Sequence, residues 1–145
     1  MSQILINAYL AEIDRIKRSS GSLSEQIIRE AFKDLLKAWS RQQGLVFLAE
    51  YSLTSNQKTL VRPDGTILHD LRVPLGYWEA KDTADDLDTE IKKKFLKGYP
   101  QDNIIFENST TAVLIQNRVE VMRCSMVDTK QLERILALFF GYERP

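Results

Sequence analysis

Gly76-Tyr77-Trp78-Glu79-Ala80-Lys81-Asp82 is the stretch on which the reading of this chain turns. Its aromatic pair marks a strand, and side chains two apart in a strand share a face. Glu79 and Lys81 therefore project together, a carboxylate beside an ammonium. Their neighbours Tyr77, Trp78 and Ala80 suit a central strand better than an edge. Upstream, Arg62-Pro63-Asp64-Gly65 places an acid in a second strand-like region. Two carboxylates and a lysine on adjacent strands are suited to hold a divalent metal and activate a water for phosphodiester cleavage.

Helical spacing dominates before this stretch. Residues 2–18 repeat apolar positions through Ile4, Leu5, Ala8, Ala11 and Ile16, and Ser19-Ser20-Gly21-Ser22 interrupts them. A second helix is predicted from Ser24 to Gln43, with Ile27, Ile28, Ala31, Phe32, Leu35, Leu36 and Trp39 buried and Gly44 ending it. Residues 45–53 read as a strand. Residues 58–68 read as a bent strand or hairpin, with a turn near Gly65.

Beyond Lys81 a helix is predicted over 83–96. Its acids come first and its lysines last, as the helix dipole favours. Gly98-Tyr99-Pro100 stops it. Strands over 103–107, 111–116 and 120–126 follow, and then a helix capped by Asp128 that carries Leu132, Ile135, Leu136, Leu138 and Phe139. The order implies an α/β domain with a central mixed sheet flanked by helices.

The 145 residues, 43% of them hydrophobic, suit one domain, 1–145, with its own core. Twenty basic and twenty acidic residues cancel, which argues against a stand-alone, high-affinity DNA binder but not against a catalytic module delivered to DNA. One cysteine, Cys124, allows no disulfide framework and reads as a buried strand residue. One histidine, His69, excludes a histidine metal cluster or triad. Charges spread over residues 1–18 do not fit a signal peptide, and no apolar run is long enough to cross a membrane. A cytoplasmic protein is expected.

Pro63-Asp64 followed by Glu79-Ala80-Lys81 resembles the PD-(D/E)XK nuclease signature. The wider pattern, 76–88 with Lys97-Gly98-Tyr99-Pro100 and Asn103-Ile104-Ile105-Phe106, is similar to Mrr-like amino-terminal nuclease domains of single-chain restriction-modification enzymes, in which a methyltransferase follows on the same polypeptide. The resemblance runs from about Ser24 to Gln116. It implies a restriction-endonuclease-like three-layer core and a metal-dependent endodeoxyribonuclease using Mg²⁺, with Mn²⁺ as a substitute. By that resemblance Asp64 and Glu79 are the metal-binding acids, Lys81 is the catalytic lysine, and Glu25 at the start of the first core helix joins the site. Double-stranded DNA is the implied partner. Methyltransferase and target-recognition domains are expected downstream or in trans, and dimerisation on DNA is plausible by the same likeness.

Alternatives remain open at this level. Asp70 competes with Asp64 as first metal ligand, because a turn at Gly65 would move Asp64 off its strand. Glu25 is equally a helix-start acid complementing the dipole. Gln116 either ends its strand or reaches the site. Lys92, Lys93, Lys94 and Lys97 read as a solvated helix end rather than a phosphate-steering patch, and one of Asp82, Asp85 and Asp86 caps the helix after the Glu79 strand. Trp39 and Trp78 belong in the core. Methyltransferase motifs are absent, so the chain reads as a fragment of a longer restriction-modification polypeptide or an isolated remnant. A catalytically silent nuclease-fold module for DNA docking or protein interaction competes with the endonuclease reading, and an RNA-directed nuclease differs only in substrate.

Overall fold

A computed structural model of the chain describes residues 2–21, 24–55, 57–70 and 72–145, so Ser22 lies outside the described residues. Two helices open it, α1 (Ser2–Ser20) and α2 (Glu25–Gln42). Ser24 caps α2 by accepting a hydrogen bond from the Ile27 amide, which satisfies one of the amides a helix start leaves free. Strands β1 (Val46–Ala49), β2 (Leu53–Thr54), β3 (Leu60–Val61), β4 (Gly65–Leu68) and β5 (Pro74–Ala80) follow. Then come α3 (Leu87–Leu96), β6 (Asn103–Glu107), β7 (Thr111–Gln116), β8 (Val119–Ser125) and α4 (Thr129–Phe140).

Six strands form one sheet in the order β1-β4-β5-β6-β7-β8, and β2 and β3 make a separate hairpin. All pairs are antiparallel except β5 with β6, in register Glu79↔Phe106 and Ala80↔Glu107. A parallel pair needs a crossover, and α3 lies on the one between them. This is the mixed, helix-flanked sheet that the sequence implies.

Period-2 alternation sorts the sheet into two cores. Trp78, Ala80, Ile105, Ala112 and Leu114 face α1, α2 and α4, where Phe32, Leu36, Leu132 and Phe139 are buried. Tyr77, Ile104, Phe106, Val113 and Ile115 face α3 and pack with Leu87, Ile91 and Tyr99. Burying a Phe or Leu side chain of this kind contributes about 1.5–3 kcal/mol. The result is three layers.

Several expectations need correction. The strand expected over 45–53 is split, because Glu50 takes φ +52° and its amide turns back to the Asp64 carbonyl at 3.0 Å. Gly65 is a buried strand residue rather than a turn. A Cβ there would stand 2.5 Å from Phe47 Cζ and 2.9 Å from Trp78 Cε3, so glycine lets two aromatic rings close over β4. The helix expected from Thr83 starts at Leu87, because the Thr83 amide is taken by Glu25 and its hydroxyl by the Asn108 carbonyl. Ile27, expected on the buried face of α2, is exposed, whereas Trp39, Trp78 and Cys124 are buried as expected.

Candidate active site

The Pro63–Asp64 bend leads directly into β4, and antiparallel pairing sets Gly65 opposite Trp78. That register places Asp64 beside the end of β5. The Asp64 amide donates to Glu79 Oε1 at 3.1 Å, and the Ala80 amide donates to Asp64 Oδ2 at 2.7 Å. The first bond ties Asp64 to the Glu79 carboxylate, and the second ties the Asp64 carboxylate to the β5 backbone one residue beyond Glu79. Among the described residues Asp64 Oδ1 accepts no hydrogen bond.

Glu79 is 4% exposed and faces α3. Burial, with the Asp64 charge as a second cause, raises its pKa above the ordinary carboxylate range, against the pull of Lys94 and Lys81. Its Oε2 lies 3.5 Å from Lys81 Nζ and 3.1 Å from Lys94 Nζ. Lys81 also reaches Glu90 Oε1 at 3.6 Å, and Glu90 Oε2 meets Lys93 at 3.3 Å. Lys94 stands 3.4 Å from the Tyr99 hydroxyl and 4.8 Å from that ring's centroid. For Lys94, burial acts to lower the pKa, but the Glu79 carboxylate outweighs it and the net direction is upward.

Asp64, Glu79 and Lys81 thus meet in one place. Asp70 does not: it is exposed beyond the far end of β4, four strand residues or about 13 Å along. It lines a separate shallow hollow with His69, Gly44 and Val73. Glu25 reaches the exit of β5, where its Oε1 accepts the Thr83 amide at 2.9 Å. No hydrogen bond or ion pair joins it to Asp64, Glu79 or Lys81 among the described residues. Gln116 ends β7 and donates to Asn103 Oδ1 and the Leu138 carbonyl, both at 3.0 Å, at the opposite end of β6 from Glu107. Asp86 sits at the α3 N-cap position, but its side chain accepts no backbone amide and takes the Thr89 hydroxyl instead.

Lys94 corrects the view of the α3 lysines as a wholly solvated group, since only 14% of its side chain is exposed. Its position three residues after Ile91, on the helical face that also carries Leu87, is the signal that marks it as inward. Glu107 is a second residue that spacing marks, because 103, 105 and 107 share a face with buried Ile105. It lies on the other side of the sheet from Glu79, 1% exposed, accepting from Trp78 Nε1 at 3.0 Å and from the Ser109 amide at 2.7 Å. Burial pushes its pKa up to about 7 against those two bonds.

One solved structure, described as "cryoEM structure DrdV-DNA complex", contains a chain with the same fold. The two superpose with a TM-score of 0.91 and 43% sequence identity over 99% of this chain. The present chain spans 14% of the length of that one. No protein-family model and no curated protein matches the sequence.

The donor set suits a hard cation. Asp64 and Glu79 offer carboxylate oxygens from two fixed points, and Mg²⁺ takes only one or two protein carboxylates beside its waters. Among the described residues no group of three or more His, Cys, Asp or Glu is arranged around a common metal position. A two-carboxylate site fits Mg²⁺ or Mn²⁺ better than a dedicated cage for Ca²⁺ or Zn²⁺. A cleft of about 720 Å³ on the α3 side is lined by Tyr77, Phe95, Tyr99, Asp102 and Arg118, and includes neither acid. Among the described residues no helix is long and apolar enough to cross a membrane.

Proposed function

We propose that this chain is the Mg²⁺-dependent endonuclease domain of a restriction-modification enzyme, hydrolysing phosphodiester bonds in double-stranded DNA, with the PD-(D/E)XK arrangement at its centre. The observation that carries the reading is the convergence of three side chains: the Asp64 amide bonds Glu79, the Ala80 amide bonds the Asp64 carboxylate, and Lys81 stands beside Glu79. The likeness to a chain from a DrdV–DNA complex supports DNA as the substrate.

In this reading Asp64 and Glu79 hold the metal, which when bound stabilises charge on the phosphate and lowers the pKa of a water. Lys81 positions the attacking water or neutralises the phosphate, and the Glu79–Glu90 pair of contacts keeps its ammonium at the strand's end. Glu25 fixes the 82–84 loop at the rim through the Thr83 amide. Because the chain is electrically neutral, its hold on DNA comes from neighbouring methyltransferase and target-recognition domains, in cis or in trans, or from pairing of two copies on DNA.

A second reading has one observation in its favour. Both cations near Glu79 already neutralise it, as in a purely structural ion cluster within a silent docking module. A plasmid-nicking assay with Mg²⁺ separates the two. The parent protein nicks, while Asp64→Asn and Glu79→Gln lose at least about a hundredfold and keep the parent's circular dichroism. Equal nicking by all three, or by none, removes the endonuclease reading.

A further inference from the structure

Two ammonium groups converge on one oxygen of a metal-ligand candidate, and they are not equivalent. Lys81 directly follows the last residue of β5 and is shared between Glu79 and Glu90. Lys94 comes from α3, is the nearer of the two to Glu79 Oε2 at 3.1 Å, and has a second resting place already in reach. That place is Tyr99, whose hydroxyl is 3.4 Å and whose ring centroid is 4.8 Å from Nζ. The Tyr99 ring is 8% exposed, and its hydroxyl stands 3.4 Å from the carbonyl of Arg62, two residues before Asp64. The aromatic station is thus fixed to the same bend that carries the first acid.

We infer that Lys94 is a resident counter-ion of the Asp64–Glu79 site that competes with the divalent cation for Glu79 and so sets the site's metal affinity. The inference rests on the metal-binding reading above. A divalent ion bonded to Oε2 at about 2.0–2.1 Å needs the lone pairs that the ammonium now faces, and the two cations repel at such separation. Lys94 can yield without losing every partner, because a cation over a tyrosine face retains favourable electrostatics. Among the described residues no aromatic ring lies against the Lys81 ammonium, which keeps Glu90 instead and so remains at the strand's end when Lys94 gives way. Lys94 is therefore a positioning residue, holding a buried carboxylate in place until metal takes over.

Mn²⁺ titrated into the 145-residue protein, with free ion followed by electron paramagnetic resonance at one fixed pH, tests this without any cleavage readout. Four proteins are compared with the parent: Lys94→Met, Lys94→Gln, Lys92→Met and Glu79→Gln. Lys92 is exposed on the same helix, so its variant removes the same formal charge away from the acids. Lys94→Gln keeps a donor for Tyr99 should the methionine variant melt early. The expected result is Mn²⁺ binding at least about tenfold tighter in both Lys94 variants, unchanged in Lys92→Met and lost in Glu79→Gln. Parent-like or weaker binding in the Lys94 variants, with loss in Glu79→Gln, overturns the competition but leaves the metal site standing. Binding that is absent throughout, or indifferent to Glu79→Gln, removes the metal reading and this inference with it.

Discussion

The sheet buries a glutamate on each of its faces, one strand apart, and accommodates the two in opposite ways. On the α3 face, Glu79 is met by two lysines within 3.5 Å and by the Asp64 amide. On the α1–α2–α4 face, Glu107 has no ion pair with a lysine or arginine among the described residues, and rests on an indole N–H and a backbone amide. Isolated carboxylates resist burial, so each arrangement must compensate. Cations that approach Glu79 can be exchanged for another cation. Fixed neutral donors cannot. On the proposed reading the α3 face exchanges one cation for another, whereas the other face holds its carboxylate by fixed neutral donors.

The largest expected effect that separates the faces is on catalysis. Glu79→Gln reduces Mg²⁺-dependent nicking by at least about a hundredfold, whereas Glu107→Gln stays within about tenfold of the parent. Similar losses from both would erase the distinction.

Next is the pH dependence of stability. The Glu107 pKa is raised from 4.5 to about 7 by burial. Between those values the unfolded chain has released this proton and the folded chain keeps it, so the folded state binds more protons and rising pH favours unfolding. Glu107 therefore costs about 3 kcal/mol of stability across that window, with the loss complete above the folded value. Urea titrations at a series of pH values should show this slope in the parent and a flatter profile in Glu107→Gln. A parent slope unchanged by the substitution contradicts the assignment.

Trp78→Phe sharpens the same point on a smaller scale. It keeps the ring but removes the indole donor, leaving a buried acceptor short of a partner at a cost of about 1–3 kcal/mol by denaturant unfolding. A variant as stable as the parent would mean that the indole bond contributes little.

Smallest is the contrast between the helices that cover the two faces. Asp128 accepts the Gln131 amide at the start of α4, while Asp86 at the start of α3 caps no amide. Asp128→Ala should cost about 1 kcal/mol and Asp86→Ala clearly less, read from urea midpoints. Equal costs would count against a more loosely anchored α3.

Much of this was legible in the sequence. Strand periodicity from Gly76 to Lys81, helical spacing in α2 and α4, and the Asp128 cap locate the sheet and two of its helices because each depends on local chemistry. Adjacent strand-like stretches suggested Asp64 with Glu79, resemblance favoured Asp64 over Asp70, and Asp70 was excluded only by the β4–β5 register. Gly65 misled because a Pro-Asp-Gly run is a turn signal, whereas here close approach by Phe47 and Trp78 demands a residue without a Cβ. The late start of α3 was hidden for a related reason: the groups that hold Thr83 out of the helix, Glu25 and Asn108, are 58 and 25 residues away in sequence. Lys94 and Glu107 did carry a signal in their phase. A charged residue on an apolar face has two explanations, error of phase or function, and only packing separates them.

The central claim is that Asp64 and Glu79 share one divalent cation. Crystals of the protein soaked in Mn²⁺ and measured for anomalous scattering test it most directly. The account predicts a peak bonded to a carboxylate oxygen of both residues, with Lys94 Nζ withdrawn toward Tyr99. A map with no peak at these carboxylates, or with Mn²⁺ bound instead near Asp70, would contradict it.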